Sequence, residues 1–169
     1  GGPAGAVSRS SGSAGSGGAV GDAVTIAAGV EVRAGLAGTY AGVAASQPVA
    51  VGDGVRTDAT GFAEVAYSDG SRTRLDVNTE FEVVALAGEA GNAVTRTEMG
   101  VGRTWHRVQA VGAASGGFEV VTSQATAAVR GTAFVVSCPT VESCDYSVME
   151  GVVDVALADG TVVTVTAPA

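Results

Sequence analysis

The sequence contains no lysine, and this absence bears on the partners that the protein can have. All nine basic residues are arginines, against seventeen aspartates and glutamates, so the net charge is -8 at pH 7. The corresponding pI is near 4.4. A surface of this sign repels a phosphate backbone, which argues against nucleic acid as a partner.

Long apolar runs are also absent. No run of eighteen apolar residues occurs, so no segment is predicted to span a membrane. The chain starts at Gly1 without a leader-like segment, which predicts an excised or processed piece whose anchor or export signal lies elsewhere. With 46% hydrophobic and 15% charged residues, 169 residues suffice for one domain with a sizeable core.

Residues that carry common catalytic chemistry are scarce. His106 is the only histidine. Strand alternation places it and Trp105 on opposite faces of one strand, and we expect His106 to be a surface or partly packed side chain. No serine lies in a nucleophile-elbow pattern. Asp53 and Asp58 resemble a calcium loop in spacing, but no glutamate closes it at the twelfth position, so turn formation is the better interpretation. The sequence therefore predicts no enzymatic activity, no cofactor and no metal.

The first 21 residues differ from the rest in composition. They are Gly, Ser and Ala with a single charge, Arg9, which is typical of a flexible linker or of a disordered terminus without a role. From Asp22 onward, short strands punctuated by glycine predict a single all-β domain over residues 22–169.

The clearest strand signal is an unbroken alternation of polar and apolar residues from Arg72 to Val83. A straight strand of that length would run about 40 Å, which is longer than usual, so we expect a bend near Asn78. No convincing helix pattern occurs. Further strands are predicted over residues 25–34, 54–57, 94–111, 118–123, 127–137 and 146–151.

Two Asp-Gly pairs lie between alternating segments, at Asp69-Gly70 and Asp159-Gly160, and each predicts a tight hairpin. The strands are rich in Ala, Val and Thr, with only one Trp, three Tyr and four Phe in the chain. Such side chains suit stacked or rolled sheets with a narrow interior. The predicted fold is therefore all-β and solenoid-like or rolled, with a β-sandwich as the alternative.

The two cysteines, Cys138 and Cys144, enclose five residues between Val-rich segments. A disulfide across the mouth of a hairpin loop would contribute about 2 kcal/mol and would imply an oxidising compartment. Two free thiols in a cytosolic loop are the alternative. A metal site is disfavoured, because the gap is wide and His106 lies far upstream.

Two parts of the chain carry a resemblance to a known family. They are "VGDGVRTDATGFAEVAYSDGSRTRLDVNTEFEVV" in the first half, and "FEVVTSQATAAVRGTAFVVS" with "YSVMEGVVDV" in the second. Together they are similar to the two-part signature of the FecR domain family, over about residues 24–166. The resemblance implies an exported, non-enzymatic module.

The best-known relatives in that family are extracytoplasmic regulators. A cytoplasmic segment contacts a sigma factor, one helix crosses the membrane, and the periplasmic part responds to an outer-membrane transducer. This chain shows neither the cytoplasmic segment nor the helix, so the resemblance implies the exported module without implying sigma-factor regulation.

The resemblance also suggests a role for Arg130, which interrupts the apolar stretch 124–137. An unpaired guanidinium would be costly there. Arg130 matches a signature position in "VRGT", and Glu150 in "MEG" is the matching carboxylate. We expect a bidentate structural ion pair that fixes the register of the two strands, in preference to a ligand-binding role.

The predicted function is an extracytoplasmic interaction or sensory module, tethered through its Gly/Ser segment, with a protein partner in the cell envelope. A module that binds cell-wall glycan is one alternative, for which Trp105, Tyr67 and Tyr40 are candidate stacking residues. A structural spacer in a surface assembly is another.

Overall fold

The computed structural model describes residues 21–67, 70–85, 95–109, 117–129 and 131–168. These residues form strands without any helix, and hence without a helix that could cross a membrane. The all-β prediction is therefore confirmed. The strands are β1 (Gly21–Ala27), β2 (Val30–Arg33), β3 (Tyr40–Gly42), β4 (Ser46–Val49), β5 (Gly54–Thr57), β6 (Phe62–Tyr67), β7 (Arg72–Leu75), β8 (Glu80–Ala85), β9 (Thr95–Met99), β10 (Gly102–Arg107), β11 (Phe118–Val121), β12 (Ala125–Val129), β13 (Ala133–Thr140), β14 (Ser143–Glu150), β15 (Val152–Leu157) and β16 (Val162–Thr166).

The strands form two large sheets that pack face to face. Sheet A has the order β14-β13-β10-β7-β6-β1-β4, and sheet B has the order β16-β15-β12-β11-β9-β8-β5-β2-β3. Neighbours are antiparallel, except that β11 pairs with β9 in parallel. From β5 onward the chain crosses between the sheets while it advances along both. It thus combines the predicted solenoid-like progression with the two stacked layers of the sandwich alternative.

The core between the sheets is made mainly of valine and alanine side chains. At its centre, aromatic rings of both sheets surround His106 of sheet A. Its ring centroid lies 4.8 Å from that of Phe134 in the same sheet. The rings of Phe118 and Phe81 in sheet B lie at 5.6 and 6.3 Å. Few aromatic residues are needed, because small valine and alanine side chains fill the rest of the interior.

Three of the strand predictions are wrong in extent. The chain leaves one sheet and continues in the other within each of the segments 25–34, 94–111 and 127–137, so each contains parts of two strands. Alternation of polar and apolar residues indicates which face of a strand points inward, but it does not indicate which sheet the strand joins. Each crossing contains a glycine with positive φ: Gly29 (100°), Gly102 (114°) or Gly131 (58°).

The predictions around the tight bends are confirmed. β7 ends in sheet A and β8 begins in sheet B, and between them Asn78 has a φ of 51°. The Asp159-Gly160 turn joins the antiparallel strands β15 and β16, with a φ of 90° at Gly160. β6 and β7 pair on either side of Gly70, whereas Asp69 lies outside the described residues.

The last residue of the predicted linker lies at the start of the described chain. Gly21 already belongs to β1, where it pairs with Val49 of β4 and Tyr67 of β6. The other twenty residues of the predicted linker lie outside the part of the chain that the structure describes.

Candidate functional site

The predicted disulfide between Cys138 and Cys144 is confirmed, with Cα atoms 4.1 Å apart. It closes the hairpin of β13 and β14 near its tip. Cys138 is buried and Cys144 is half-buried. A bond of this kind indicates an oxidising compartment.

The prediction that His106 is a surface or partly packed residue is wrong, because its side chain is buried at the centre of the core. The alternation itself is as predicted: His106 points inward and Trp105 lies on the opposite face of β10. Arg103 and Arg107 flank Trp105 and mark that face as the outer one. Burial in apolar surroundings lowers the pKa of His106 from 6.5 to about 3.

Both ring nitrogens of His106 have hydroxyl partners. Nδ1 lies 2.9 Å from Thr73 Oγ1, and Nε2 lies 2.7 Å from Thr104 Oγ1. Thr104 donates to the sulfur of Met99, so its oxygen is placed to accept a proton from Nε2. We therefore assign the neutral Nε2-H tautomer, which accepts from Thr73 at Nδ1. This imidazole is a satisfied core residue.

Asp53 and Asp58 form turns, as predicted. The buried carboxylate of Asp53 accepts hydrogen bonds from the backbone N–H groups of Gly35, at 2.8 Å, and Ala50, at 3.0 Å. Asp58 accepts from the N–H of Thr60 at 2.8 Å, which lowers the pKa of Asp58. No group of three potential ligands that could hold a metal ion occurs among the residues that the structure covers.

Arg130 lies outside the described residues, so its pairing with Glu150 stays a prediction. Glu150 itself is at the C-terminal end of β14, with 67% of its side chain exposed. Its Oε2 lies 3.5 Å from Nη1 of Arg107 on sheet A.

The three predicted stacking residues do not come together. Trp105 lies on the outer face of sheet A. Tyr67 is buried between the sheets, where its ring packs edge-on against Phe118 at 5.6 Å and its hydroxyl lies 3.1 Å from Thr73 Oγ1. Tyr40, on edge strand β3 of sheet B, has the guanidinium of Arg56 over its ring at 4.0 Å. Trp105 lines a concave surface together with the aromatic ring of Phe62 and the exposed side chain of Met149.

We call this surface the tryptophan face. It is a groove of about 560 Å³ on the outer side of sheet A. Its apolar centre is Trp105 with Phe62, whose ring centroid is 5.9 Å away, and the half-exposed Met149. Arg72, Arg74 and Arg107 line the groove with it, and Arg103 lies beside the ring of Trp105.

The strand order explains how these residues meet. β10 lies between β7 and β13, and the outward positions of β7 and β10 carry arginine or tryptophan. Trp105 is directly opposite Arg74, and Arg107 is directly opposite Arg72. Arg103 lies along the strand from Trp105, with its guanidinium 5.9 Å from the ring centroid.

The charges of the tryptophan face are unevenly exposed. Glu64 of β6 contacts Arg74 Nε at 2.8 Å and Arg72 Nη1 at 3.4 Å. Its side chain is only 11% exposed, against 59% for Arg72 and 55% for Arg74. The carboxylate thus lies beneath the two guanidinium groups, which extend into solvent.

Sequence reasoning found Trp105 but missed the face around it. The signal that was present is the alternation along each strand, with Arg72 and Arg74 on β7 and with Trp105 between Arg103 and Arg107 on β10. The pairing of β7 with β10 was not readable, because two strands of sheet B come between them in the chain. Phe62 and Met149 come from still more distant strands.

Comparisons with known proteins agree with this fold. The family described as FecR protein matches residues 53–154, more than half of the chain. Two crystal structures, at 2.50 and 1.65 Å, are each of a provisionally assigned anti-sigma factor from Parabacteroides distasonis ATCC 8503. Each has 22% identity and a TM-score of 0.57, over 68% of this chain and 51% of the other. This chain therefore spans about half the length of those proteins, and the likeness shows the fold. Curated proteins give no significant match.

Proposed function

Because the chain belongs to the FecR protein family, we propose that it is a non-enzymatic, extracytoplasmic interaction or sensory module that binds a protein partner of the cell envelope. The observation that carries this proposal is the tryptophan face. Trp, Arg, Phe and Met are the residue types enriched where proteins bind one another, and here they share one groove.

The disulfide supports the extracytoplasmic location. Cys138 and Cys144 are bonded within a single hairpin, and structural disulfides persist in exported proteins but are rare in reducing compartments. The family resemblance points to the same side of the membrane. The Gly/Ser-rich segment before β1 would then serve as the tether.

The position of His106 supports a binding role over a catalytic one. Its imidazole is the only one in the sequence, and it is buried in the core with both nitrogens engaged by threonine hydroxyls. A general base must reach a substrate, which this side chain does not.

Site-specific photocrosslinking in the native host tests the proposal. A benzoyl-phenylalanine replaces Met149 at the rim of the tryptophan face, and in a control chain it replaces Leu36, which is 74% exposed on the loop between β2 and β3. We expect a discrete protein adduct from position 149 that is absent from position 36 and is lost on Trp105→Ala.

Three outcomes would contradict this function. Equal adducts from both positions, or none from position 149, would remove the tryptophan face as a docking site. An adduct whose added mass a cell-wall hydrolase removes, and which contains no partner peptide by mass spectrometry, would favour the glycan alternative instead. Thermal melting of each variant shows whether the domain remains folded.

A further inference from the structure

We propose that the segment bound on the tryptophan face is an acidic stretch of the partner protein, with carboxylates that contact Arg72 and Arg107 and an apolar side chain that packs on Trp105. This inference rests on the proposed function and adds to it the chemistry of the partner. It follows from how the arginines are placed, exposed and paired.

Arg72 and Arg107 are direct cross-strand partners on neighbouring strands β7 and β10. Side chains at such positions are about 5 Å apart at their Cβ atoms, and like charges directly opposite one another are destabilising. The protein as a whole carries a charge of -8, so a concentration of positive charge is not a consequence of its composition. An anionic ligand would relieve this local repulsion.

The carboxylates within the face do not cancel its positive surface. Glu64 gives one oxygen each to Arg72 and Arg74 from beneath, and each of these contacts uses a single nitrogen of the guanidinium. A guanidinium has five N–H donors in a fork that matches a carboxylate. Arg107 is 60% exposed and contacts Glu150 at 3.5 Å, which is long for a charged hydrogen bond. Guanidinium N–H groups that these contacts do not use therefore face the groove.

Sheet B shows the contrasting arrangement. Among the described residues, each arginine on its outer side pairs with one carboxylate, on the adjacent strand for Arg56 and Arg96 and across β5 for Arg33, so no comparable excess of positive charge occurs there. Those pairs are Arg33–Glu82 at 2.5 Å, Arg56–Glu31 at 2.7 Å and Arg96–Glu119 at 2.8 Å.

The apolar centre distinguishes a peptide from a simple anion. Phe62, Trp105 and Met149 provide rings and a flexible thioether between the guanidinium groups. An acidic peptide that also carries an apolar side chain satisfies both parts of the groove. An inorganic anion would leave the apolar part exposed to water.

The test extends the crosslinking experiment with benzoyl-phenylalanine at position 149 in the full chain. We expect Arg72→Glu and Arg107→Glu each to lower the yield of the protein adduct by about fivefold or more, because a rim charge governs encounter. Arg96→Glu is the matched control, since Arg96 is also strand-borne, half-exposed and paired with a glutamate. We expect it to change the yield by less than about twofold.

Two further readouts decide the chemistry. Raising NaCl from about 50 mM to about 500 mM should lower the yield several-fold, because exposed charges are screened. Mass spectrometry of the adduct should map the crosslink to a partner peptide of net negative charge. An adduct that forms but maps to a neutral or basic peptide, or is insensitive to both arginine reversals, overturns the acidic partner and leaves the docking site standing. The absence of any adduct overturns both.

Discussion

At the scale of single residues, His106 ties stability to pH. The folded protein holds a neutral imidazole with a pKa of about 3, whereas the unfolded chain has the ordinary value of 6.5. Between these values the unfolded state binds more protons, so stability falls as the pH decreases through 6.5. We expect the free energy of unfolding to fall by about 2 kcal/mol between pH 7 and pH 5. Most carboxylates titrate below this pH range. Chemical denaturation at the two pH values measures it.

A non-titrating variant isolates this effect. His106→Phe keeps a flat ring against Phe134, and we expect its stability to change much less between pH 7 and pH 5. If the wild-type protein is equally stable at both values, the imidazole is not held neutral by the fold.

The expected pair of Arg130 and Glu150 gives a second prediction at the scale of single residues. If the two form a structural pair, Arg130→Ala should cost about 2–4 kcal/mol, and a double-mutant cycle with Glu150→Gln should show coupling above about 1 kcal/mol. The cycle between Glu150 and Arg107 is the comparison. Both of those side chains are well exposed, so we expect coupling of less than about 1 kcal/mol.

A larger coupling of Glu150 to Arg107 than to Arg130 would assign the carboxylate to the tryptophan face. Unchanged melting of Arg130→Ala together with a lost adduct at position 149 would make Arg130 part of the binding site.

At the scale of elements, the crossings between sheets depend on close backbone approach. Gly102 opens β10 with a φ of 114°, and a Cβ there would overlap Thr79 in the crossing between β7 and β8. Thr79 in turn accepts from the N–H of Arg103 at 3.1 Å. We expect Gly102→Ala to lower stability by about 2–5 kcal/mol, because backbone strain and overpacking add.

The matched control is Gly160→Ala in the β15–β16 turn. Gly160 has a φ of 90°, and a Cβ there would meet no atom within 4 Å. Only backbone strain applies here, so we expect Gly160→Ala to lower stability by about 1 kcal/mol. Thermal melts of the two variants compare them directly. Equal losses would show that the contact between the two crossings contributes nothing to stability.

These crossings also mark the limit of prediction from sequence. Alternation over residues 72–83 predicted inward and outward positions well, and glycines marked the turns. Val77 continues the apolar series of that alternation, but it is 38% exposed because it lies in the crossing itself. A pattern of period two specifies the face of a strand, whereas the sheet it joins depends on contacts between residues far apart in the chain.

The candidate site was less predictable for the same reason. Trp105 and its flanking arginines could be placed on an outward face from local alternation. Their proximity to Arg72 and Arg74 required the pairing of β7 with β10, which are separated by a hairpin of the other sheet. Local sequence carries no information on that pairing.

At the scale of the whole molecule, a solenoid and a pair of sheets with a shared core are expected to unfold differently. Solenoids, in which each repeat contacts only its neighbours, can lose structure from one end. Here the aromatic cluster around His106 joins β10 and β13 of sheet A to β8 and β11 of sheet B. Because this shared cluster joins interior strands of both sheets, neither sheet can lose its inner face without exposing that of the other.

We therefore expect a single cooperative transition in urea. Far-UV circular dichroism reports the strands of both sheets, and the fluorescence of Trp105 reports the outer face of sheet A alone. In a two-state transition the two midpoints coincide. The variant Phe118→Ala, which removes a ring of sheet B from the centre, should shift both midpoints together and cost about 3–5 kcal/mol. Separate midpoints, or a shift of the circular dichroism signal alone, would show that the sheets unfold independently and that the shared core does not couple them.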